Sequence, residues 1–319
     1  MSEGREILRT EGLAKRYGRI LAVDDMNLRV FDGEVFSFLG PNGSGKSTTV
    51  GMILGLVRPT RGRALVFGDD MATHSWPVLK RIGAVIETPA FYPYLSGYDN
   101  LKALAILLGD ISNARIDEML ELVGLRERGR DAYKTYSLGM KQRLGIASTL
   151  LRDPDLVILD EPTNGLDPAG TREVRELIPR LAQQGRSVFL CSHLLHEVQA
   201  VSDRVAIVKR GRLVSEGTVD ELLGRGQHLR LRADDPESLV RALGSVDWVR
   251  AVDRIDGYVR ASAPTARAGE LNRLLSQQGV FVSELTPWET ELESVFLGLT
   301  DDEAGELSTN GTPPVGVPR

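Results

Sequence analysis

The sequence predicts an α/β protein in which a parallel sheet is covered by helices, followed by a smaller α+β unit. Three observations carry this prediction. First, Val35–Leu39, Leu156–Leu159, Ser187–Cys191 and Arg204–Val208 are short apolar runs separated by helical stretches. Runs of that kind, apolar at successive positions, are strands buried on both faces of a parallel sheet. Second, Asn100–Arg128 is helical in pattern and holds no strand-like run, which predicts a helical subdomain inserted at about 88–152. Third, composition shifts near residue 225. Residues 226–319 hold 9 Arg, no Lys and 15 acidic residues, whereas all seven lysines precede the shift.

Gly224-Arg225-Gly226 punctuates that shift and is the expected domain boundary, giving domains at 1–225 and 226–300. In the second domain, His228–Arg232, Trp248–Ile255, Tyr258–Ala261 and Val280–Leu285 read as strands. Ser238–Leu243 and Ala268–Gln277 read as helices. The order β-α-β-β-α-β is that of a ferredoxin-like split βαβ sandwich. Residues 301–319, with Ser-Thr-Asn-Gly-Thr-Pro-Pro and no apolar periodicity, read as a disordered tail.

Composition narrows the function. A chain of 319 residues with net charge −5 is a poor candidate for a nucleic-acid binder held by a broad basic surface. The single cysteine, Cys191, excludes an internal disulfide framework and a four-cysteine zinc site. Apolar stretches such as Ala103–Leu108 fall far short of the ~20 residues that span a bilayer. The charged start, Met1-Ser2-Glu3-Gly4-Arg5-Glu6, lacks the apolar segment of a secretory signal. The expectation is a cytosolic protein that does not itself cross a membrane.

Gly40-Pro41-Asn42-Gly43-Ser44-Gly45-Lys46-Ser47-Thr48 fits G-x-x-x-x-G-K-S/T without a mismatch. The predicted strand Val35–Leu39 precedes it, and a helix at Lys46–Val57 follows. The glycines let the backbone close around a phosphate with its N–H groups inward. The helix start adds partial positive charge. Asn42, Gly43, Ser44, Gly45, Lys46, Ser47 and Thr48 are therefore expected nucleotide contacts. Lys46 reaches the β- and γ-phosphates, and the Ser47 hydroxyl is a ligand for Mg²⁺. This predicts a P-loop NTPase sheet that takes a nucleotide with Mg²⁺; the P-loop alone does not say which machine it drives.

Leu156-Val157-Ile158-Leu159-Asp160-Glu161 places two carboxylates at the C-terminal end of a buried strand, where ligands of open α/β sheets gather. Asp160 is expected in the Mg²⁺ shell, and Glu161 is expected to orient and polarise the attacking water. Phosphoryl transfer needs little covalent chemistry, so positioning and charge do most of the catalysis.

Upstream lies Tyr136-Ser137-Leu138-Gly139-Met140-Lys141-Gln142-Arg143. It resembles the signature segment of ABC-transporter ATPases, and so does the order of P-loop, helical insertion, signature and acidic strand. Asn164-Gly165-Leu166-Asp167-Pro168 is similar to that family's D-loop, and Ser192-His193 to its switch histidine. Tyr17 stands where the family stacks an aromatic ring on adenine. The resemblance covers about residues 5–225. It implies head-to-tail pairs, with Ser137 and the Gly139 N–H of one copy sealing the nucleotide held by the other and Asp167 close to it. It also implies an integral-membrane permease as partner and a position on the cytoplasmic face of the membrane. A complete set of motifs permits two identical halves, so a homodimer is expected, with a heterodimer as the alternative.

Bland readings stand beside several of these residues. Ser137 is also a natural helix N-cap, a lone Tyr such as Tyr17 is often a packing residue, and His193 with His196 and Glu197 could frame a metal pair. Two signature positions depart from the family pattern: Leu138 replaces a glycine and Met140 a glutamine. Glu87 stands where the family has its Q-loop glutamine, as a further nucleotide or Mg²⁺ contact or as a harmless isosteric swap. A Glu there resembles the bacitracin and lantibiotic exporter subgroup. Phe91, Tyr92, Tyr94 and Leu95 then occupy the region that receives a permease helix in the family, or they pack between subdomains. Glu291–Thr300 resembles the closing segment of daunorubicin/doxorubicin exporter ATPases. The expected function is thus an ATPase powering export of drugs, antibiotics or lipids. The alternative is a non-transport ABC ATPase acting on nucleic acid or translation, which usually needs a second ATPase domain or a coiled-coil insertion.

Overall fold

The computed structural model describes residues 4–86, 89–109, 111–224, 226–255 and 257–288. Contacts divide the chain into two compact units, 1–217 and 218–319.

The first unit opens with β1 (Glu6–Tyr17), β2 (Ile20–Met26), β3 (Arg29–Phe31), β4 (Val35–Leu39) and α1 (Lys46–Ile53). It continues with β5 (Arg61–Val66), β6 (Asp69–Asp70), α2 (Ser75–Leu79) and β7 (Ile82–Val85). Then come α3 (Gly97–Leu108), α4 (Asn113–Leu122), α5 (Leu138–Thr149), β8 (Leu156–Asp160), α6 (Pro168–Gln183), β9 (Ser187–Ser192), α7 (Leu195–Val201), β10 (Arg204–Lys209) and β11 (Arg212–Thr218).

Six strands form the main sheet, in the order β11-β10-β4-β9-β8-β7. The neighbours from β10 through β7 pair in parallel. Every residue of β4, β8 and β9 is buried, because both faces are covered. Phe36, Phe38, Ile158, Phe189 and Cys191 face one core with Val50 and Ile53 of α1. Val35, Val157, Leu159, Val188 and Leu190 face another, built with Leu101, Ile116, Leu144 and Leu177. That two-sided burial is the physical reason for the uninterrupted apolar runs. Parallel pairing in this order sets the C-terminal ends of β4, β8 and β9 side by side, with Leu39 opposite Ser192 and Asp160 opposite Cys191.

An antiparallel sheet, β2-β1-β5-β6 with β3 also on β1, was not anticipated from the sequence. β1 spans 12 residues and its pairings are broken by register shifts, so its burial does not alternate cleanly.

One helical expectation needs correction. The helix from Lys46 ends at Ile53, short of Val57. Gly55 turns the chain at φ 70°, and the Val57 N–H returns to the Gly51 carbonyl at 2.9 Å. The helical stretch read over Asn100–Arg128 comprises two helices, α3 and α4. Gly109 leaves the first at φ 80°, and Ser112 caps the second by accepting from the Arg115 N–H.

The second unit contains α8 (Val219–Leu222), β12 (His228–Ala233), α9 (Pro236–Gly244), β13 (Val252–Ile255), β14 (Tyr258–Ser262), α10 (Ala268–Gln277) and β15 (Val282–Pro287). Its sheet runs β13-β14-β12-β15, antiparallel throughout. Leu229, Leu231, Val259 and Ala261 of the sheet bury against Leu239, Leu243, Leu271 and Leu275 of the helices. The strand expected from Trp248 begins only at Val252. The closing segment Glu291–Thr300 and the tail 301–319 lie outside the described residues.

Candidate nucleotide and catalytic site

β4 ends where the chain needs room that only glycine leaves. A Cβ on Gly40 would lie 2.4 Å from the Val208 carbonyl oxygen and 2.7 Å from Ser44 Oγ. Gly45, at φ 100°, is the residue before α1, and a Cβ there would lie 2.6 Å from the Ala22 carbonyl oxygen. The loop is pinned by Gly40 N–H to the Ser192 carbonyl (3.2 Å) and Ser44 N–H to Pro41 (3.1 Å). No side chain caps α1, and its first intrahelical bond is Thr49 N–H to Gly45. The N–H groups of its first turn are therefore available to an anion.

Lys46 is buried at the base of this loop. Its ammonium donates to the Gly40 carbonyl at 2.6 Å and to Pro41 at 3.3 Å, and lies 3.2 Å from Glu161 Oε1. The Ser47 hydroxyl donates to Asp160 Oδ2 at 2.9 Å. Asp160 is only 3% exposed, and its Oδ1 has no hydrogen-bond partner. Burial raises its carboxyl above the ordinary value; the Ser47 hydroxyl and the Lys46 charge act the other way. An orphaned, buried carboxylate oxygen beside a hydroxyl suits a hard cation such as Mg²⁺, which takes few protein oxygens and completes its shell with water and phosphate.

Glu161 has φ 51°, a left-handed conformation that costs a non-glycine residue about 1–3 kcal/mol and gathers at functional sites. Its N–H still bonds the Cys191 carbonyl at 3.0 Å, so the kink occurs as the chain leaves the sheet. Oε2 then meets His193 Nδ1 at 2.7 Å. Lys46, Ser47, Asp160, Glu161 and His193 thus form one connected cluster above β4, β8 and β9.

Ser137, Gly139 and Asp167 form a separate group at the starts of α5 and α6. Ser137 caps α5 by accepting from the Met140 N–H, and Asp167 caps α6 by accepting from Gly170. Tyr17, at the end of β1, is 47% exposed, with the Lys15 ammonium 4.9 Å from its ring centre. Glu87 lies outside the described residues. The metal pair considered for His193 and His196 does not form: His196 is exposed while Glu197 is buried, and no metal-binding group of three His, Cys, Asp or Glu occurs among the described residues. Sequence reasoning missed a second tie, in which the buried Thr163 hydroxyl donates to Glu197 Oε2. No local pattern announces it, because the two residues lie 34 positions apart.

Among the described residues, no helix is long and apolar enough to cross a membrane. The ABC transporter family profile matches residues 23–164. A bacitracin transport ATP-binding protein of Bacillus licheniformis is 39% identical over 92% of this chain and 97% of its own length. A lantibiotic transport ATP-binding protein of Streptococcus pyogenes is 39% identical over 67% of this chain and 92% of its own. A solved ATP-binding cassette, described as dimeric in a post-hydrolysis state with ADP and Pi, aligns with a TM-score of 0.60 at 26% identity. It covers 67% of this chain and 99% of that one. With a glycine-shaped loop before α1, a buried carboxylate at the end of β8 and a glutamate–histidine pair just past β8 and β9, and with relatives matched over nearly their whole length, the chain belongs to the ATP-binding proteins of the ABC transporter family and is an ATPase.

Proposed function

We propose that the chain is the ATP-hydrolysing subunit of an exporter whose permease is a separate integral-membrane protein, and that it works as a peripheral protein on the cytoplasmic face. The observation that carries this is the convergence of Lys46 and His193 on the two oxygens of Glu161. In this reading the lysine serves the phosphates, the glutamate is the general base and the histidine is the sensor. Two relatives named for bacitracin and lantibiotic transport support a peptide antibiotic as the cargo class; drugs and lipids are the wider set.

In this reading the loop N–H groups of Asn42, Gly43, Ser44, Gly45, Lys46, Ser47 and Thr48 hold the phosphates, and Tyr17 stacks on the base. Ser47 and Asp160, with Glu87 as a third candidate, would hold Mg²⁺, which would supply positive charge to the phosphates. Glu161 orients the attacking water and accepts its proton. His193, with Nδ1 turned to Glu161, leaves Nε2 for the γ-phosphate. Ser137 Oγ already caps Met140, so α5 offers the N–H groups of Leu138 and Gly139 to the nucleotide of a second copy, and Asp167 lies at that junction. The second unit, with its β-α-β-β-α-β order, is read as a ferredoxin-like accessory domain.

The test is reconstitution with the membrane protein that copurifies. Peptide antibiotic should accelerate ATP hydrolysis in vesicles, and Glu161→Gln should abolish it. Association with ribosomes or nucleic acid in place of a membrane protein overturns the reading.

A further inference from the structure

The segments that follow β8 and β9 are tied together at two points. His193 Nδ1 meets Glu161 Oε2 at 2.7 Å. Farther along both segments, Thr163 Oγ1 donates to Glu197 Oε2. Thr163 and Glu197 are each 5% exposed, whereas His193 and Glu161 are partly open. A carboxylate this deeply buried needs bonded partners to be tolerated. Thr163 supplies a hydrogen bond, and His196 Nε2 lies 4.0 Å from the other oxygen.

The location of this tie gives it meaning. Thr163 sits in the turn that Glu161 begins at φ 51°. Asn164 N–H bonds the Glu161 carbonyl at 3.1 Å, and Leu166 N–H bonds the Thr163 carbonyl at 3.2 Å. That turn leads directly to Asp167, the cap of α6. Glu197 lies in the first turn of α7, and His193 lies just before that helix's cap, Leu194. The same strip also holds the P-loop, through the Gly40 N–H to Ser192 bond. With both ties made, α7 cannot shift along residues 161–163 without breaking two hydrogen bonds. With one tie alone, the Glu161–His193 pair could pivot.

We propose that Glu197 is a positioning residue: through Thr163 it fixes the strained turn after Glu161 to the segment that carries His193 from β9 into α7, so that base and histidine are delivered as one unit. This rests on the catalytic reading of Glu161 and refines it. Charge-assisted bonds to a buried carboxylate are the stronger, more directional kind, which suits a tie meant to hold an angle.

The test is steady-state ATP hydrolysis by the full chain with its membrane partner. Thr163→Val removes the hydroxyl at nearly constant volume. It should lower kcat about ten- to a hundredfold, the range expected for misplacement near 1 Å, with KM for ATP within about twofold. Thr163→Ser should restore most of the loss. In a His193→Ala background, Thr163→Val should add little further, because the alignment it protects is already unused. Glu161→Gln is the arm that separates the two claims. If it keeps turnover, the catalytic reading of Glu161 falls. If it fails while Thr163→Val keeps wild-type kcat, only the Glu197 proposal falls. Losses from Thr163→Val and His193→Ala that multiply independently, or a parallel collapse of KM and thermal stability, would assign the Thr163–Glu197 pair a purely structural role and overturn the proposal.

Discussion

Replacing Lys46 with alanine tests the cradle most directly. The Lys46 ammonium makes one short bond, to the Gly40 carbonyl at 2.6 Å, and two longer contacts, to Pro41 at 3.3 Å and Glu161 at 3.2 Å. The short bond anchors the side chain across the loop, and the longer contacts are the ones a phosphate oxygen can displace. One exchanged contact is a charge-assisted hydrogen bond, worth about 1.5–3 kcal/mol, which corresponds to roughly 10- to 150-fold in ATP affinity. The assay is titration with a fluorescent ATP analogue, with circular dichroism as the control for folding. Lys46→Arg should not rescue binding, since a planar guanidinium fork does not fit a site in which the lysine is 6% exposed. An ATP affinity within twofold of wild type in a folded Lys46→Ala protein would refute the reasoning.

Glu161→Gln keeps a hydrogen-bonding group for His193 but removes the base; kcat should fall about 10²–10⁴-fold with ATP binding retained, and a kcat within tenfold of wild type excludes Glu161 as the base. Because burial raises the Asp160 carboxyl, its folded form holds a proton to higher pH than its unfolded form does, so wild-type stability declines as pH rises from the ordinary aspartate range through the raised value. Asp160→Asn should therefore melt higher than wild type at neutral pH, converge with it in acid, and lose ATPase activity; a stability gain of equal size at both pH values contradicts the assignment. Gly170→Ala would place a Cβ 2.8 Å from Asp167 Oδ1 and should forfeit the α6 cap, about 0.5–2 kcal/mol, read as a lower melting temperature that Asp167→Ala does not lower further.

The elements that could be read from the sequence are those in which local chemistry and tertiary demand coincide. β4, β8 and β9 are apolar at nearly every position because both faces of the sheet are covered. The loop 40–48 needs its glycines because neighbouring carbonyls press on Gly40 and Gly45. Asp160 and Glu161 stand out because charge is rare at the end of a buried run. The β1–β2 region was opaque for the opposite reason: with register shifts and half-buried positions, it carries no period. The break between α3 and α4 was legible in principle, from Gly109 and the Ser112 cap, but the apolar residues on either side masked it. The Thr163–Glu197 bond was invisible because its partners are 34 residues apart and neither residue type advertises the other.

Leu138 shows how a departure from a family pattern is resolved by packing rather than by composition. A leucine in place of glycine at the start of α5 adds bulk beside the first backbone N–H groups of the helix. In the fold, Leu138 Cδ2 lies 3.4 Å from where a Cβ on Gly165 would stand, so the side chain leans on the turn between Thr163 and Asp167. Gly139 packs instead against α6: its own Cβ would lie 3.2 Å from Gly170 Cα, a close approach in which a side chain would press the two helix starts apart by a few tenths of an ångström. The bulk of Leu138 is therefore taken up by Gly165, a residue that at φ 75° must be glycine for its own turn. The leucine thereby joins the start of α5 to the same turn whose Thr163 bonds Glu197.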